Sequence, residues 1–216
     1  MTPERFRRLR EVLARRQPDL TVLMDGVHKS HNFSAILRNC DAVGVLEAHV
    51  VPPDEGLDLH HGTSAGTTKW VWVRRHETVS AAGRHLRGRG FRIVAAHPSE
   101  DAADYREVDY TAPVALVLGA ELAGVSREGL ALADRCVRIP MRGMVHSLNV
   151  SVAASLLLFE AQRQREAAEM YGASRLPPDE FERRLFEWAY PSLAAKRRLA
   201  GRPYPRLAED GQIARG

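Results

Sequence analysis

The sequence predicts an α/β domain on a mostly parallel sheet, with short basic helical extensions at both ends. Three observations predict it. Between residues 20 and 165, segments with strand character alternate with segments of helical periodicity, the pattern of repeated βα units. One of them, PVALVLGA (113–120), is an unbroken apolar run of the kind a central parallel strand carries when both its faces are covered. Charge is also unevenly placed: residues 1–19 carry +3, residues 161–216 carry +3, and residues 20–160 carry −2. Basic ends on a slightly acidic body suit a grip on a polyanion such as RNA. The expected organisation is therefore a basic helix over 1–19, an α/β domain over 20–165 and a helical extension over 166–216.

Each element has its own justification. ERFRRLREVLARR places Phe6, Leu9, Val12 and Leu13 at helical spacing, and Pro18 ends that helix. LTVLMD (20–25) reads as a buried strand. HNFSAILRNCDAV reads as a helix with Phe33, Ile36, Leu37, Cys40 and Val43 on one face, closed by Gly44. VLEAHVV follows as a strand, and the polar residues 52–69 read as a long loop. WVWVRR (70–75) is a strand, ETVSAAGRHLRGR a helix and FRIVAA (91–96) a strand. A loop around SEDAADYREVDYTA leads to the apolar run at 113–120. REGLALAD is a short helix, RCVRIP a strand, and GMVHSLNVSVAASLLLFEAQRQR opens into a long helix. PPDEFERRLFEWA and SLAAKRRLA are two further helices split by Pro191.

Composition bounds the class. Of 216 residues 44% are hydrophobic and 27% charged, as in ordinary globular chains. No run approaches the roughly 18 apolar residues of a membrane helix, so no membrane span is expected. MTPERFRRLREVL has no apolar stretch after its basic residues, so no secretory signal is expected either. Two cysteines, Cys40 and Cys136, stand far apart without a partner motif, which points to a reduced, cytoplasmic protein.

Several familiar chemistries are excluded. GxGxxG follows none of the strands. GAELAGVS (119–126) has phosphate-loop glycine spacing but puts Val125 where a lysine must meet the phosphates, which removes an NTPase. His28 with His31, and His60 with His61, lack a third ligand at a metal spacing, so no metal is expected.

Three stretches at predicted strand ends stand out, because open α/β sheets hold ligands there. In HNFSAILR, Asn32 and Arg38 lie six residues apart, about 240° around a helix. That places Asn32 near the N-cap and Arg38 opposite the apolar stripe, held out toward a phosphate or a partner subunit. LVLGAELAGVS has small residues that let a ligand near the backbone, followed by Glu121. IPMRGMVHSLNVSVA turns through Gly143 into a helix start, with Ser147 as a cap and Asn149 in the first turn.

Together, in this order, the three stretches resemble the signature motifs of the SpoU/TrmH methyltransferases of the SPOUT superfamily. RRQPDLTV, ILRNCDAVGVLEAH, DYREVDYT and SLNVSVAASLLLFEAQRQR extend the resemblance over nearly the whole chain, toward the branch that acts on the D-loop of tRNA. The resemblance implies a SPOUT α/β fold whose C-terminal part is threaded into a deep trefoil knot, and a homodimer. It implies transfer of a methyl group from S-adenosylmethionine to the ribose 2′-hydroxyl of guanosine 18 in tRNA. Asn32, Arg38, Glu121, Ser147 and Asn149 match the family's functional positions. Ala96, Gly119, Ile139 and Leu148 would contact the cofactor, largely through backbone. Arg38 is given the role of base by the resemblance; its chemistry equally suits anchoring an RNA phosphate that helps take the proton. Arg5, Arg8, Arg16, His31, Arg163 and Arg165 are the expected RNA contacts. His146 and Ser30 stand where relatives carry Gln and Pro, departures that bear on fine substrate preference. Alternative expectations are a ribosomal-RNA ribose methyltransferase and a knotted RNA-binding protein without catalysis.

Overall fold

A computed structural model describes residues 1–53 and 69–214. Most of the polar stretch read as a loop over 52–69 therefore lies outside the described residues. The chain divides into two compact units: Pro18–Met170, and Met1–Gln17 together with Tyr171–Gly216.

The larger unit holds a seven-stranded sheet. In chain order its strands are β1 (Leu20–Asp25), β2 (Glu47–Val51), β3 (Trp72–Arg75), β4 (Arg92–Ala96), β5 (Ala103–Asp104), β6 (Val114–Leu118) and β7 (Arg135–Arg138). They lie in the order β3-β2-β1-β6-β4-β7-β5 and every pairing is parallel. All residues of β1 and β6 are buried, which is why both lack polar alternation.

The pleat sorts their side chains onto two cores. Val22, Met24, Leu116 and Leu118 face one core, which also holds Phe33, Ile36 and Leu37 of α2 (Ser30–Ala42) and Leu157 and Leu158 of α5 (Val150–Ala167). Leu23, Ala115 and Val117 face the other, with Ala82 and Leu86 of α3 (Val79–Gly88), beside α4 (Arg127–Leu132). Because all strands run the same way, the ends of β4, β6 and β7 open on one edge of the sheet.

Two details differ from the sequence reading. The stretch read as a loop before residue 113 contains β5 and a turn of 3-10 helix over Tyr105–Glu107. β5 is two residues long, too short to carry a periodic signal. The long helix begins at Val150, so the His-Ser-Leu-Asn preceding it is loop.

The smaller unit joins the two chain ends, which the sequence reading treats as separate extensions. It contains α1 (Pro3–Ala14), α6 (Pro178–Ala189) and α7 (Pro191–Leu199), with α1 packed on α6. Its buried residues include Phe6, Leu9 and Leu13 from α1 and Phe181, Leu185 and Phe186 from α6. Gly211 has φ +83°, and a Cβ there would lie 2.4 Å from Cγ of Phe6, so only glycine fits the turn. The Arg16 guanidinium sits 5.2 Å above the Trp188 ring, and Arg16 is fully buried. That corrects its expected role: a side chain held inside this core does not reach an RNA phosphate.

Candidate active site

A chain of side-chain hydrogen bonds joins the three signature stretches. Asn149 Nδ2 donates to Asn32 Oδ1 (3.1 Å), and Asn32 Nδ2 donates to Glu121 Oε1 (2.6 Å). The second Glu121 oxygen faces His28 Nδ1 at 2.8 Å. Asn32 thus spends its carbonyl on one neighbour and its amide on the other, which fixes its orientation. Burial pushes the Glu121 carboxyl up, but the hydrogen bond from Asn32, backbone N–H groups and His28 outweigh it and hold it below the usual value.

The local fold explains these placements and corrects the expected cap of α5. Lys29 occupies the N-cap of α2 without a side-chain cap bond. Asn32 sits inside the first turn, buried, with its amide aimed at Glu121 instead of at the helix end. Asn149, not Ser147, is the N-cap of α5: its Oδ1 accepts from the backbone N–H of Ser151 (2.8 Å). Its free end then serves Asn32, so one residue both starts the helix and joins the network. His28 is the member the sequence reading missed, having been weighed there only as a metal partner of His31.

The same edge of the sheet carries a cavity with about 830 Å³ of space between its atoms, part of it open to solvent. Ala96, Gly119, Glu121, Ile139, Ser147 and Leu148 all line it. They come from the ends of β4, β6 and β7 and from the loop before α5. Gly119 is required by its own loop: a Cβ there would lie 2.0 Å from the Gly124 carbonyl carbon. Ala120 and Gly124 exchange backbone hydrogen bonds of 2.9 Å, folding the loop back on itself. The small residues read as space for a ligand thus first serve this fold-back.

The cavity suits S-adenosylmethionine. Aliphatic walls such as Leu118, Leu148 and Leu157 surround a few polar groups, the kind of lining a small-molecule site has. Glu121 is the one carboxylate among the lining residues, with Arg138 among them as well.

The remaining expected residues divide. Arg38 is exposed on α2 and joins none of these hydrogen bonds. Arg5, Arg8, His31 and Arg163 are exposed; Arg163 also pairs with Glu160 at 2.7 Å. Arg165 is a correction. It is fully buried, binds Asp19 Oδ1 at 2.6 Å and donates to the carbonyls of Tyr110 and Ala112. An arginine consumed this way organises the core and offers nothing to RNA. The sequence placed it one turn from helical surface positions and gave no sign of its acceptors, which lie over 50 residues away.

Comparison with known proteins follows the same lines. The SpoU rRNA Methylase family matches residues 19–159, and the SpoU rRNA methylase C-terminal family matches residues 163–216. The chain is 51% identical to the tRNA (guanosine(18)-2'-O)-methyltransferase of Escherichia coli strain K12, over 99% of this chain and 94% of that protein. The crystal structure of the A. aeolicus TrmH/SpoU tRNA modifying enzyme aligns with a TM-score of 0.82 and 45% identity, over 88% of this chain and 97% of that one. The SpoU methyltransferase AviRb from Streptomyces viridochromogenes, in complex with the cofactor AdoMet, aligns with a TM-score of 0.63 and 28% identity, over 70% and 62%.

Proposed function

The chain belongs to the SpoU rRNA methylase family, and from that premise we propose that it methylates the ribose 2′-hydroxyl of guanosine 18 in the D-loop of tRNA. Ala96, Gly119, Ile139 and Leu148, at the ends of β4, β6 and β7 and in the loop before α5, would hold S-adenosylmethionine, whose sulfonium would supply the methyl group as an electrophile. The observation that carries the reading is that Glu121 belongs both to the cavity wall and to the network through Asn32 to Asn149. Cofactor pocket and polar network are one site. The near full-length likeness to a tRNA guanosine-18 enzyme favours tRNA over ribosomal RNA.

The chain's own residues have distinct tasks. Asn32, Glu121 and Asn149 hold one another in fixed orientations, so the site is set before RNA arrives. Ser147, on the cavity wall, faces the incoming ribose. A charged guanidinium donates hydrogen bonds and accepts none. Arg38 therefore anchors a phosphate of the target nucleotide, and an oxygen of that phosphate helps take the hydroxyl proton. The family's deep trefoil knot is the backbone arrangement we assign to the segments enclosing the cavity.

RNA contacts outside the site fall to Arg5, Arg8, His31 and Arg163. A second copy of the chain covers the exposed apolar stripe of α5, where Val152, Leu156 and Phe159 are 47%, 37% and 46% exposed. These positions recur at helical spacing on one face, opposite buried Ala154, Leu158 and Ala161. No helix among the described residues is long and apolar enough to cross a membrane. Cys40 and Cys136 share no disulfide, which fits the reducing cytoplasm where tRNA is modified.

The test is incubation with methyl-labelled S-adenosylmethionine and unmodified tRNA, followed by digestion to nucleosides. Label in 2′-O-methylguanosine from the D-loop is expected. Label only in ribosomal RNA offered in parallel supports the alternative, and no label in either leaves only RNA binding.

A further inference from the structure

Away from the cavity, three histidines from separate segments meet near the β3 edge of the sheet. His49 lies on β2, His76 directly follows β3, and His85 lies on α3. Their ring centroids are 5.2, 5.4 and 5.4 Å apart. Glu47 precedes His49 by two residues, so both project from the same face of β2. One carboxylate oxygen of Glu47 and one ring nitrogen each of His49 and His85 lie within 4.8 Å of one another.

The cluster is unsatisfied as a purely structural device. His49 is fully buried. Nε2 of His49 and Nε2 of His85 are both buried without a hydrogen-bond partner. Interiors rarely leave buried polar atoms unmet. An apolar core would be better served by aliphatic residues at these positions.

We propose that Glu47, His49 and His85 form a binding site for a divalent metal of the zinc class, with His76 orienting His49 from behind. Two imidazoles and a carboxylate are ligands that zinc takes, with a fourth position left for water. His49 Nδ1 lies 2.9 Å from His76 Nε2. In the tautomer where His49 Nδ1–H donates to His76, Nε2 of His49 keeps its lone pair for the metal. A metal-bound imidazole is ordinarily held by an outer hydrogen bond of this kind.

The Glu47 carboxylate already has partners. Arg74 Nε and Arg89 donate to its two oxygens at 2.9 and 2.8 Å. A carboxylate has about four lone-pair sites, so two remain. The two cations weaken the pull on a dication, so binding weaker than at thiolate sites is expected.

Full-length protein without a histidine tag, stripped with EDTA, is titrated with zinc chloride by calorimetry, and bound metal is counted after dialysis. One zinc per chain and a raised thermal midpoint are expected. Cobalt(II) in its place should give tetrahedral visible absorption without a thiolate charge-transfer band. His85→Ala, a half-buried position, and Glu47→Gln should each lose the bound zinc yet bind S-adenosylmethionine as wild type does, which shows that they fold. Wild-type protein that binds no stoichiometric zinc overturns the proposal. So does an undiminished stoichiometry in His85→Ala, which would place the metal elsewhere.

Discussion

Asn32 on α2 donates a 2.6 Å hydrogen bond to Glu121 after β6, across 89 residues of sequence. Asn149 reaches the same asparagine from the start of α5. This contact makes three separate motifs one site. Asn32→Ala and Glu121→Ala should each lower the rate of methyl transfer about ten- to a hundredfold, the size of a lost charge-assisted hydrogen bond. Because both remove the same contact, the double variant should lose little more than the worse single one. Single-turnover rates of the four proteins check this; additive losses mean that the two side chains act independently.

Arg38 is exposed and outside the network. Arg38→Ala should lower transfer by about a hundredfold or more, as when a contact made at the reacting centre is removed. Calorimetry with S-adenosylmethionine should give an unchanged affinity. Wild-type rates in this variant mean that Arg38 has no part in the reaction.

Arg163 and Arg165 are two residues apart and should behave as opposites. Arg165→Ala strands Asp19 without its buried partner and should cost about 3–5 kcal/mol in urea unfolding. Arg163→Ala breaks only a solvent-exposed pair with Glu160 and should change stability by less than about 1 kcal/mol. It should weaken tRNA binding and lower the salt slope by about one. Equal stability of the two variants would contradict the buried placement of Arg165.

Phe159 is 46% exposed on the stripe assigned to a second copy. Phe159→Glu should shift the protein from dimer to monomer in sedimentation, with its thermal midpoint retained in dilute solution. A variant that stays dimeric places the interface elsewhere.

The sequence made the sheet legible because central strands need long apolar runs: β1 and β6 could be read directly. β5 could not, since two residues hold no period. For the site, the three signature stretches were legible through a resemblance, but the contacts among their residues were not. The position of Asn32 near a helix start is local and legible; its partner is Glu121, visible only once β6 lies beside β1. The two misplaced arginines share one cause. Arg16 and Arg165 sit in strongly basic stretches, and composition does not tell a guanidinium that faces solvent from one turned into a core against Trp188 or Asp19. The histidine cluster stayed hidden for a related reason: its ligands come from β2 and α3, too far apart in sequence to form a metal motif.

The central claim is a methyl group delivered to one ribose oxygen. The most direct measurement offers the enzyme labelled S-adenosylmethionine with two tRNAs, identical except that one carries 2′-deoxyguanosine at position 18. The account predicts incorporation into the first and none into the second. Equal labelling of both would place the methyl group on another atom and contradict the account.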